Sequence, residues 1–173
     1  MTPRAMEDAI SKLCPKCGLC CNGVLFSDVE LERGDEPQRL AELGLAFHRK
    51  GKKNCLPQPC ACLDGTLCRI YANRPERCRT FECRLLQRVQ AGSISSHAAL
   101  KAIRQAHQCA DAVRLLVRKL GQHDEHLPLS KRYHQIMAEP IDLAGDEEMA
   151  DLRGQLMLAV HELVQTLEKD FLT

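Results

Sequence analysis

The stretch CPKCGLCC, residues 14–21, contains four cysteines within eight positions. Thiolates separated by two residues often bind metal, because a tight turn points both sulfurs at a common centre. Buried thiols that act as small apolar side chains would explain about two or three of the cysteines in this half of the chain, but hardly eight. The pattern therefore predicts a metal site with these ligands: Cys14, Cys17, Cys20, Cys21, Cys60, Cys68, Cys78 and Cys83.

Two pairs among these cysteines cannot easily share one ion. Cys20 and Cys21 are neighbours, and successive side chains point to opposite faces of an extended chain or diverge by about 100° in a helix. Five helical steps would leave Cys78 and Cys83 about 140° apart, unless the helix breaks near Thr80–Phe81. We therefore expect either one centre with several metal atoms or two neighbouring four-ligand centres that share the first cysteine run.

Eight thiolates around two divalent ions would carry a net charge of about −4, which is costly in a partly buried site. Basic side chains can offset this charge and donate N–H groups to sulfur. Arg74 and Arg79, beside Pro75 and Cys78, are the strongest candidates for that role. The other basic residues near the ligands in sequence are Lys16, Arg69, Arg77, Arg84 and Arg88.

The donor type does not identify the metal, because thiolate-rich sites suit zinc and iron–sulfur clusters alike. The first three cysteines begin like a ferredoxin run, although the ferredoxin step C-x3-C-P is absent. Adjacent ligands fit a multinuclear cluster better than one tetrahedral ion. The sequence therefore slightly favours an iron–sulfur cluster over zinc.

The composition agrees with a fold that is held together partly by metal. The chain has 173 residues, of which eleven are cysteine, 3% are aromatic and none is Trp. Large rings contribute much of the burial in ordinary cores, so bound metal is a plausible second source of stability. The net charge of +1 gives no sign of a polyanionic partner.

The sequence predicts a cytoplasmic protein. Residues 1–13 contain no apolar run of a secretory signal, and no window approaches the roughly 20 apolar residues of a membrane helix. Clustered cysteines in a reducing compartment bind metal more often than they form disulfides, and the odd cysteine count also disfavours a fully paired framework. The alternative, a secreted disulfide-rich domain, is less favoured.

We expect a mainly α fold with two lobes. Residues 1–91 would form a small, irregular, cysteine-rich lobe around the metal, with short helices and little strand. Residues 92–173 would form a helical hairpin lobe. Its first helix has an apolar stripe at helical spacing, formed by Ala99, Ile103, Ala106, Ala110, Val113, Val117 and Leu120. The second helix, over 146–171, would turn inward Met149, Leu152, Leu156, Ala159, Leu163 and Leu167.

Shorter elements are predicted from turn and capping residues. Residues 6–13 and 35–44 favour short helices, and residues 23–31 are strand-like. Residues 47–65 indicate an irregular loop or short hairpin, and a helix would begin within residues 73–75. In the second lobe, we expect Ser95 or Ser96 to cap the first helix, Gly121 to end it, and a short helix to cover Ser130–Glu139.

At these residues the sequence resembles the CxxCxxCC family, also called YkgJ-type, which is widespread in bacteria and described as a zinc- or iron-chelating domain. CPKCGLCC carries part of the likeness, and residues 68–81, with the pattern C-x-I-Y-x-x-R-P-x-x-C-R-x-F, carry the most specific part. The resemblance covers roughly residues 10–90. It implies that the eight cysteines bind metal and that Tyr71, Arg74 and Arg79 support them.

The chain departs from the family pattern at Cys62, where relatives commonly have an aromatic or apolar residue. Cys62 would be an alternative ligand, a redox-active spare or, more simply, an idle thiol near the site. A related cysteine motif occurs in flagellin lysine methylases. This chain has no glycine-rich strand–turn–helix signature of a methyl-donor site, so the resemblance is not extended to that activity.

Other groups are weaker candidates. His123, His126 and His134 could contribute to a second metal site, but a polar surface loop explains them better because no HExxH or paired ExxH motif is present. The basic run at residues 48–53 could bind nucleic acid through Lys50, Lys52 and Lys53. It has little aromatic interleaving, so a solvated loop is the better explanation.

Three functions are compatible with these residues. The favoured one is a binding module that holds metal ions for metal handling, sensing or electron transfer, with the helical lobe open to an unknown protein partner. An enzyme that uses the cluster is the second, and it would need an open coordination position or a substrate pocket. A zinc-stabilised nucleic-acid binder is the third. Neither a membrane nor a nucleic acid is an expected partner.

Overall fold

The computed structural model describes residues 12–140 and 147–172, and in this part of the chain the fold is mainly α with little strand, as expected. Most of the predicted first helix, residues 6–11, lies outside the described residues. The helices are α1 (12–17), α2 (Pro37–Glu42), α3 (Glu76–Thr80), α4 (Arg84–Gln90), α5 (Ser96–Lys119), α6 (Leu129–Ala138) and α7 (Glu147–Asp170). The strands are β1 (Asp28–Glu30), β2 (His48–Lys50), β3 (Lys53–Pro57), β4 (Leu63–Asp64) and β5 (Leu67–Cys68).

Helices α5 and α7 form the predicted hairpin and pack along each other. The apolar stripe of α5 is buried except for Leu120, which is half-buried. The Ser95 hydroxyl accepts a hydrogen bond from the Ala98 N–H at 3.1 Å and so caps the helix. Gly121, with φ +87°, takes the left-handed conformation that ends it.

One inward-facing prediction in α7 is wrong, because Met149 is exposed. The contact between Cys109 of α5 and Thr166 of α7 shows where the two helices lie side by side. Because the two helices are antiparallel, moving from Thr166 towards the start of α7 corresponds to moving from Cys109 towards the end of α5. The position on α5 that would face Met149 therefore falls beyond Lys119, the last residue of that helix. Met149 therefore lies beyond the end of its partner helix.

The main apolar core joins the first cysteine run to the helical hairpin. Leu13 and Leu19, on either side of Cys17, are buried in it, as are Leu85 and Leu86 of α4. They pack with the buried faces of α5, α6 and α7. Two of the cysteine-bearing segments are therefore anchored in the largest core of the molecule.

A smaller core lies beneath the strands. It consists of Leu40, Leu45, Leu56 and Cys62, with Cys60 packed at its edge. Strand β3 is central in an antiparallel sheet of order β1-β3-β2, and β4 pairs with β5 in a separate two-residue hairpin. The predicted loop over residues 47–65 therefore contributes to two hairpins.

The helix is interrupted between Cys78 and Cys83, which was one of the two predicted alternatives. Helix α3 ends at Thr80, and Phe81 takes an extended conformation with φ −69° and ψ 125°. Cys83 is the N-cap residue of α4.

Among the residues that the structure describes, none of the helices has the length and apolar character of a membrane span.

Candidate metal centre

All eleven cysteines lie in the described part of the chain, and all are free thiols. The eight that were predicted as ligands are half-buried, whereas Cys55, Cys62 and Cys109 are buried. The structure therefore contains no disulfide framework within the described residues. The exposure also separates the eight candidate ligands from the other three thiols.

Four of the thiols form a group that we call the core set: Cys14, Cys17, Cys20 and Cys83. The pKa of Cys17 is raised to about 12, mainly by burial, with smaller increases from the nearby Cys83 and Cys14 thiols and a decrease from the N–H bond of Leu19. Burial also raises the pKa of Cys20 well above its usual value, followed by the effects of Cys17, Cys21, Cys83 and Cys14. These four sulfurs, from α1, the following turn and α4, therefore lie within electrostatic range of one another.

The other four form the loop set: Cys21, Cys60, Cys68 and Cys78. Burial raises the pKa of Cys21 to about 12, and the next contributions come from the other three members. The pKa of Cys78 is raised to about 11, mainly by burial, and Cys60 and Cys68 contribute to the increase. This set is drawn from the first cysteine run, the hairpin region and α3.

The division separates both pairs that the sequence suggested are poor partners for one ion. Cys20 belongs to the core set and Cys21 to the loop set, while the break after α3 sends Cys78 and Cys83 to different sets. As the side chains are placed, no group of three or more His, Cys, Asp or Glu residues in the described ranges could hold a metal ion. The thiols of each set lie within electrostatic range of one another, but as placed they do not form a coordination sphere.

Backbone contacts bring the first cysteine run against the hairpin region. Gly18 has φ +64°, and a Cβ there would lie 3.2 Å from the Cα of Thr66. The Thr66 hydroxyl donates to the Pro15 carbonyl at 2.6 Å, and the Cys60 N–H donates to the Cys21 carbonyl at 2.8 Å. The tight turn at Gly18 therefore allows the two segments to approach closely.

Several sulfurs accept backbone N–H groups, which favours the thiolate. Cys83 receives them at the start of α4 from Leu85 and Leu86, and each lowers its pKa against the larger effect of burial. A hydrogen bond from the backbone of Cys62 likewise lowers the pKa of Cys60 against the larger effect of burial. Hydrogen bonds of this kind support metal-bound thiolates by orienting the ligand and spreading its charge.

Arg74 is the basic residue that lies between the two sets. Its positive charge lowers the pKa of thiols in both of them, Cys14 in the core set and Cys21 and Cys78 in the loop set, against the dominant effect of burial. The guanidinium carbon is 3.7 Å from the ring centre of Tyr71, and Nε donates to the Tyr71 carbonyl at 3.0 Å. Tyr71 therefore holds Arg74 in place by a cation–π contact and a hydrogen bond.

Among the other basic residues, Arg79 and Arg69 have different partners, and the supporting role of Arg79 stays a prediction. Arg79 forms an ion pair with Glu76 on the exposed side of α3. Arg69, which was given less weight, donates to the Ala61 carbonyl at 2.6 Å and lowers the pKa of Cys60 and Cys62 against burial. The β4–β5 hairpin brings Arg69 back beside these thiols.

His107 of α5 contacts the core set directly. Its Nε2 lies 2.7 Å from the Cys17 carbonyl oxygen, and this nitrogen donates because a carbonyl can only accept. A signal was present in the sequence, since His107 directly follows Ala106 of the buried stripe. Only the docking of α1 onto α5 shows what it touches.

We predict that His107→Ala lowers the free energy of unfolding by about 1–3 kcal/mol, because the partly buried Cys17 carbonyl loses its donor. His107→Gln can restore a donor and should recover part of the loss. Urea denaturation at fixed metal concentration measures both variants. Equal stability of His107→Ala and the wild type would contradict the structural role of this contact.

Cys62 lies in the smaller core, with its Sγ 3.4 Å from the Leu43 carbonyl oxygen, to which it donates. Burial raises the pKa of its thiol, which favours the unreactive protonated form. The effect of Cys62 on the pKa of Cys60 shows that it lies near the loop set. Its use as an extra thiol stays a prediction.

The weaker candidates are found on the surface with other partners. His123, His126 and His134 are exposed, and Glu125, between the first two, pairs with Arg118. In the basic run, Lys50 pairs with Asp28 at 3.0 Å and Lys53 with Glu30 at 2.7 Å. These β1 carboxylates neutralise part of the charge that a nucleic acid would need.

Comparison with known proteins gives one match. A family model described as "CxxCxxCC: Putative zinc- or iron-chelating domain" matches residues 13–110. The match includes all eight members of the core and loop sets and extends through the first part of α5 to Ala110. No curated protein and no solved structure matches the chain.

Proposed function

The chain belongs to the CxxCxxCC family, and we propose that it binds two metal centres, each through four cysteine thiolates, in a metal-handling, sensing or electron-transfer role. The observation that carries this proposal is the division of eight half-buried thiols into the core set and the loop set. Four thiolates are the complement of a tetrahedral zinc site and also of an iron–sulfur cluster.

The residues around the thiols fit such centres. Two divalent ions with eight thiolates would carry a net charge of about −4, and Arg74 lies where it can act on both. Backbone N–H groups already point at sulfur in Cys17, Cys60 and Cys83. Coordination would require the sulfurs of each set to draw together, and metal binding commonly supplies the free energy for such ordering.

Zinc and an iron–sulfur cluster remain the two metal alternatives. If Cys20 and Cys21 bound the same centre, their adjacency would favour a multinuclear cluster. Two separate four-thiolate centres explain the same adjacency with either metal. We propose a reducing cytoplasmic setting for this role, because all eleven thiols are free.

The proposal is tested by purifying the full chain without oxygen and measuring zinc, iron and acid-labile sulfide. We expect about two metal centres per chain, one for each set of four thiols. An iron–sulfur protein absorbs in the visible range through sulfide-to-iron charge transfer, whereas a zinc protein is colourless. A folded protein with neither zinc nor iron would refute the proposal.

We also predict that metal binding at pH 7 releases protons. Burial raises the pKa of Cys17 and Cys21 to about 12 and that of Cys78 to about 11, so these thiols are protonated before they bind. Zinc titration in weakly buffered solution with a pH indicator should therefore give about four protons per metal and an affinity that falls as the pH falls. Binding without proton release would show that other groups are the ligands.

The metal-free protein should respond to pH in the opposite direction. The folded-state pKa of these thiols lies above that of an exposed thiol, so the protonated form stabilises the fold. This stabilisation is complete below the unfolded pKa and is lost as the pH rises towards 11–12. Thermal denaturation of the chelator-treated protein across alkaline pH measures the effect.

A further inference from the structure

We propose that the two sets exchange metal at different rates: the core set retains its metal as part of the fold, and the loop set is the site through which metal enters and leaves. This inference rests on the proposed function, since it assigns different roles to the two centres. It is carried by the different scaffolds that hold the two groups of thiols.

The core set is attached to the main apolar core at each of its segments. Leu13 and Leu19 flank Cys17 and are buried, and Cys17 and Cys83 themselves pack against this core. His107 of α5 holds the Cys17 carbonyl. These thiols cannot separate widely unless buried contacts with the helical hairpin are broken.

The end of α7 adds a second attachment beside Cys83. The Arg84 N–H donates to the Phe171 carbonyl at 3.1 Å, and Arg88 pairs with Asp170 at 3.3 Å. Phe171 is buried in the main core. Helix α4, whose N-cap residue is Cys83, is therefore fixed to the C-terminal end of the hairpin.

Two of the four loop-set thiols, Cys78 and Cys68, lie on short elements with few buried contacts. Cys78 lies on α3, a five-residue helix with no buried residue. Cys68 belongs to the two-residue strand β5, whose only described sheet partner is the two-residue strand β4. Short helices and isolated two-stranded hairpins are marginally stable in water.

Asp35 is the main polar attachment of α3. One carboxylate oxygen accepts from the Glu76 N–H at 2.8 Å, and the other accepts from the Glu32 N–H at 2.8 Å. The ion pair between Arg77 and Glu32 that accompanies it is exposed. Exposed ion pairs contribute little, so the Asp35 hydrogen bonds are the contacts whose loss would most easily free Cys78.

The surroundings of the loop set are also open to solvent. Leu67, next to Cys68, is 57% exposed, and Tyr71 is 42% exposed. Local opening costs least where buried apolar contacts are few and backbone hydrogen bonds are exposed. Since a chelator or a metal donor must reach the thiolates during such an opening, metal in the loop set should exchange faster.

The experiment uses the zinc-loaded full chain and excess 4-(2-pyridylazo)resorcinol, whose absorbance reports released zinc. We expect two phases of about equal amplitude that differ at least about tenfold in rate, since about 1.4 kcal/mol of difference in opening free energy gives a factor of ten. Cys78→Ser should abolish the fast phase. Cys17→Ser should abolish the slow phase, with the fast phase retained if the variant folds.

Asp35→Ala provides a test that leaves every thiol in place. Loss of its two hydrogen bonds should accelerate the fast phase about tenfold and leave the slow phase unchanged. Glu36→Ala is the matched control, because it removes the neighbouring carboxylate, which makes no capping hydrogen bond to α2. Hydrogen exchange should also be faster in residues 60–80 than in the segment from Cys83 to Val117.

The outcomes separate the two proposals. Absence of bound metal refutes the proposed function itself. Stoichiometric zinc that leaves in a single phase overturns only the difference in exchange, as does loss of the fast phase in Cys17→Ser or its retention in Cys78→Ser. Equal effects of Asp35→Ala and Glu36→Ala would also overturn it.

Discussion

Cys20→Ser and Cys21→Ser, although they change adjacent residues, are expected to remove different metal centres. Each variant should retain about half of the wild-type metal, because Cys20 belongs to the core set and Cys21 to the loop set. Metal analysis after gel filtration measures the loss. Chelator kinetics then show which phase has gone, slow for Cys20→Ser and fast for Cys21→Ser.

The two variants should also differ in stability. A centre attached to the main core contributes to global unfolding, whereas one held by short loops contributes mainly to local order. Cys20→Ser should therefore lower the melting temperature more than Cys21→Ser. Cys55→Ala, which changes a buried thiol outside both sets, is the control and should keep the full metal content. If either serine variant stays folded but loses all metal, the eight thiols form one multinuclear centre.

Leu156→Ala and Leu158→Ala are expected to have very different effects on stability. Leu156 is 0% exposed in the main core, so its truncation should cost about 2–5 kcal/mol in the free energy of unfolding. Leu158, two residues further along α7, is 73% exposed, and the same substitution there should change the free energy by less than about 0.5 kcal/mol.

Urea denaturation at saturating zinc measures both changes with the metal content held constant. The pair is closely matched, because helix, substitution and local backbone are the same and only the buried surface differs. Similar losses in the two variants would contradict the packing of α7 on α5. A large loss in Leu158→Ala alone would mean that its exposed face is covered in solution.

The elements that were predicted best are those specified by local patterns. Buried positions at helical spacing predict a helix without knowledge of its partner, and α5 follows its stripe from Ala99 to Val117. Ser95 and Gly121 act within one turn of the helix, so their roles could also be inferred directly. Met149 shows the limit of such predictions, because the spacing of apolar residues in α7 does not reveal where its partner helix ends.

The candidate site also has features that local sequence patterns predict and features that depend on long-range packing. Cysteine spacing predicted the candidate ligands, and the directions of adjacent side chains predicted that Cys20 and Cys21 are poor partners for one ion. For Cys78 and Cys83 the helical argument does not apply, because the helix ends between them. The same geometry could not assign Cys60 or Cys68 to a group, because their positions depend on hairpins that bring distant segments together. The division of the protein into residues 1–91 and 92–173 stays a prediction, although the main core contains residues from both.

By itself the sequence predicted the soft sulfur donors and determined the mainly α class and the two long amphipathic helices, because residue type and periodicity are local properties. Only the tertiary structure decided which thiols are neighbours, that Arg74 lies between the two sets, and that His107 and the end of α7 support one of them. Those relations depend on how separate segments pack, and packing is set by the whole chain at once.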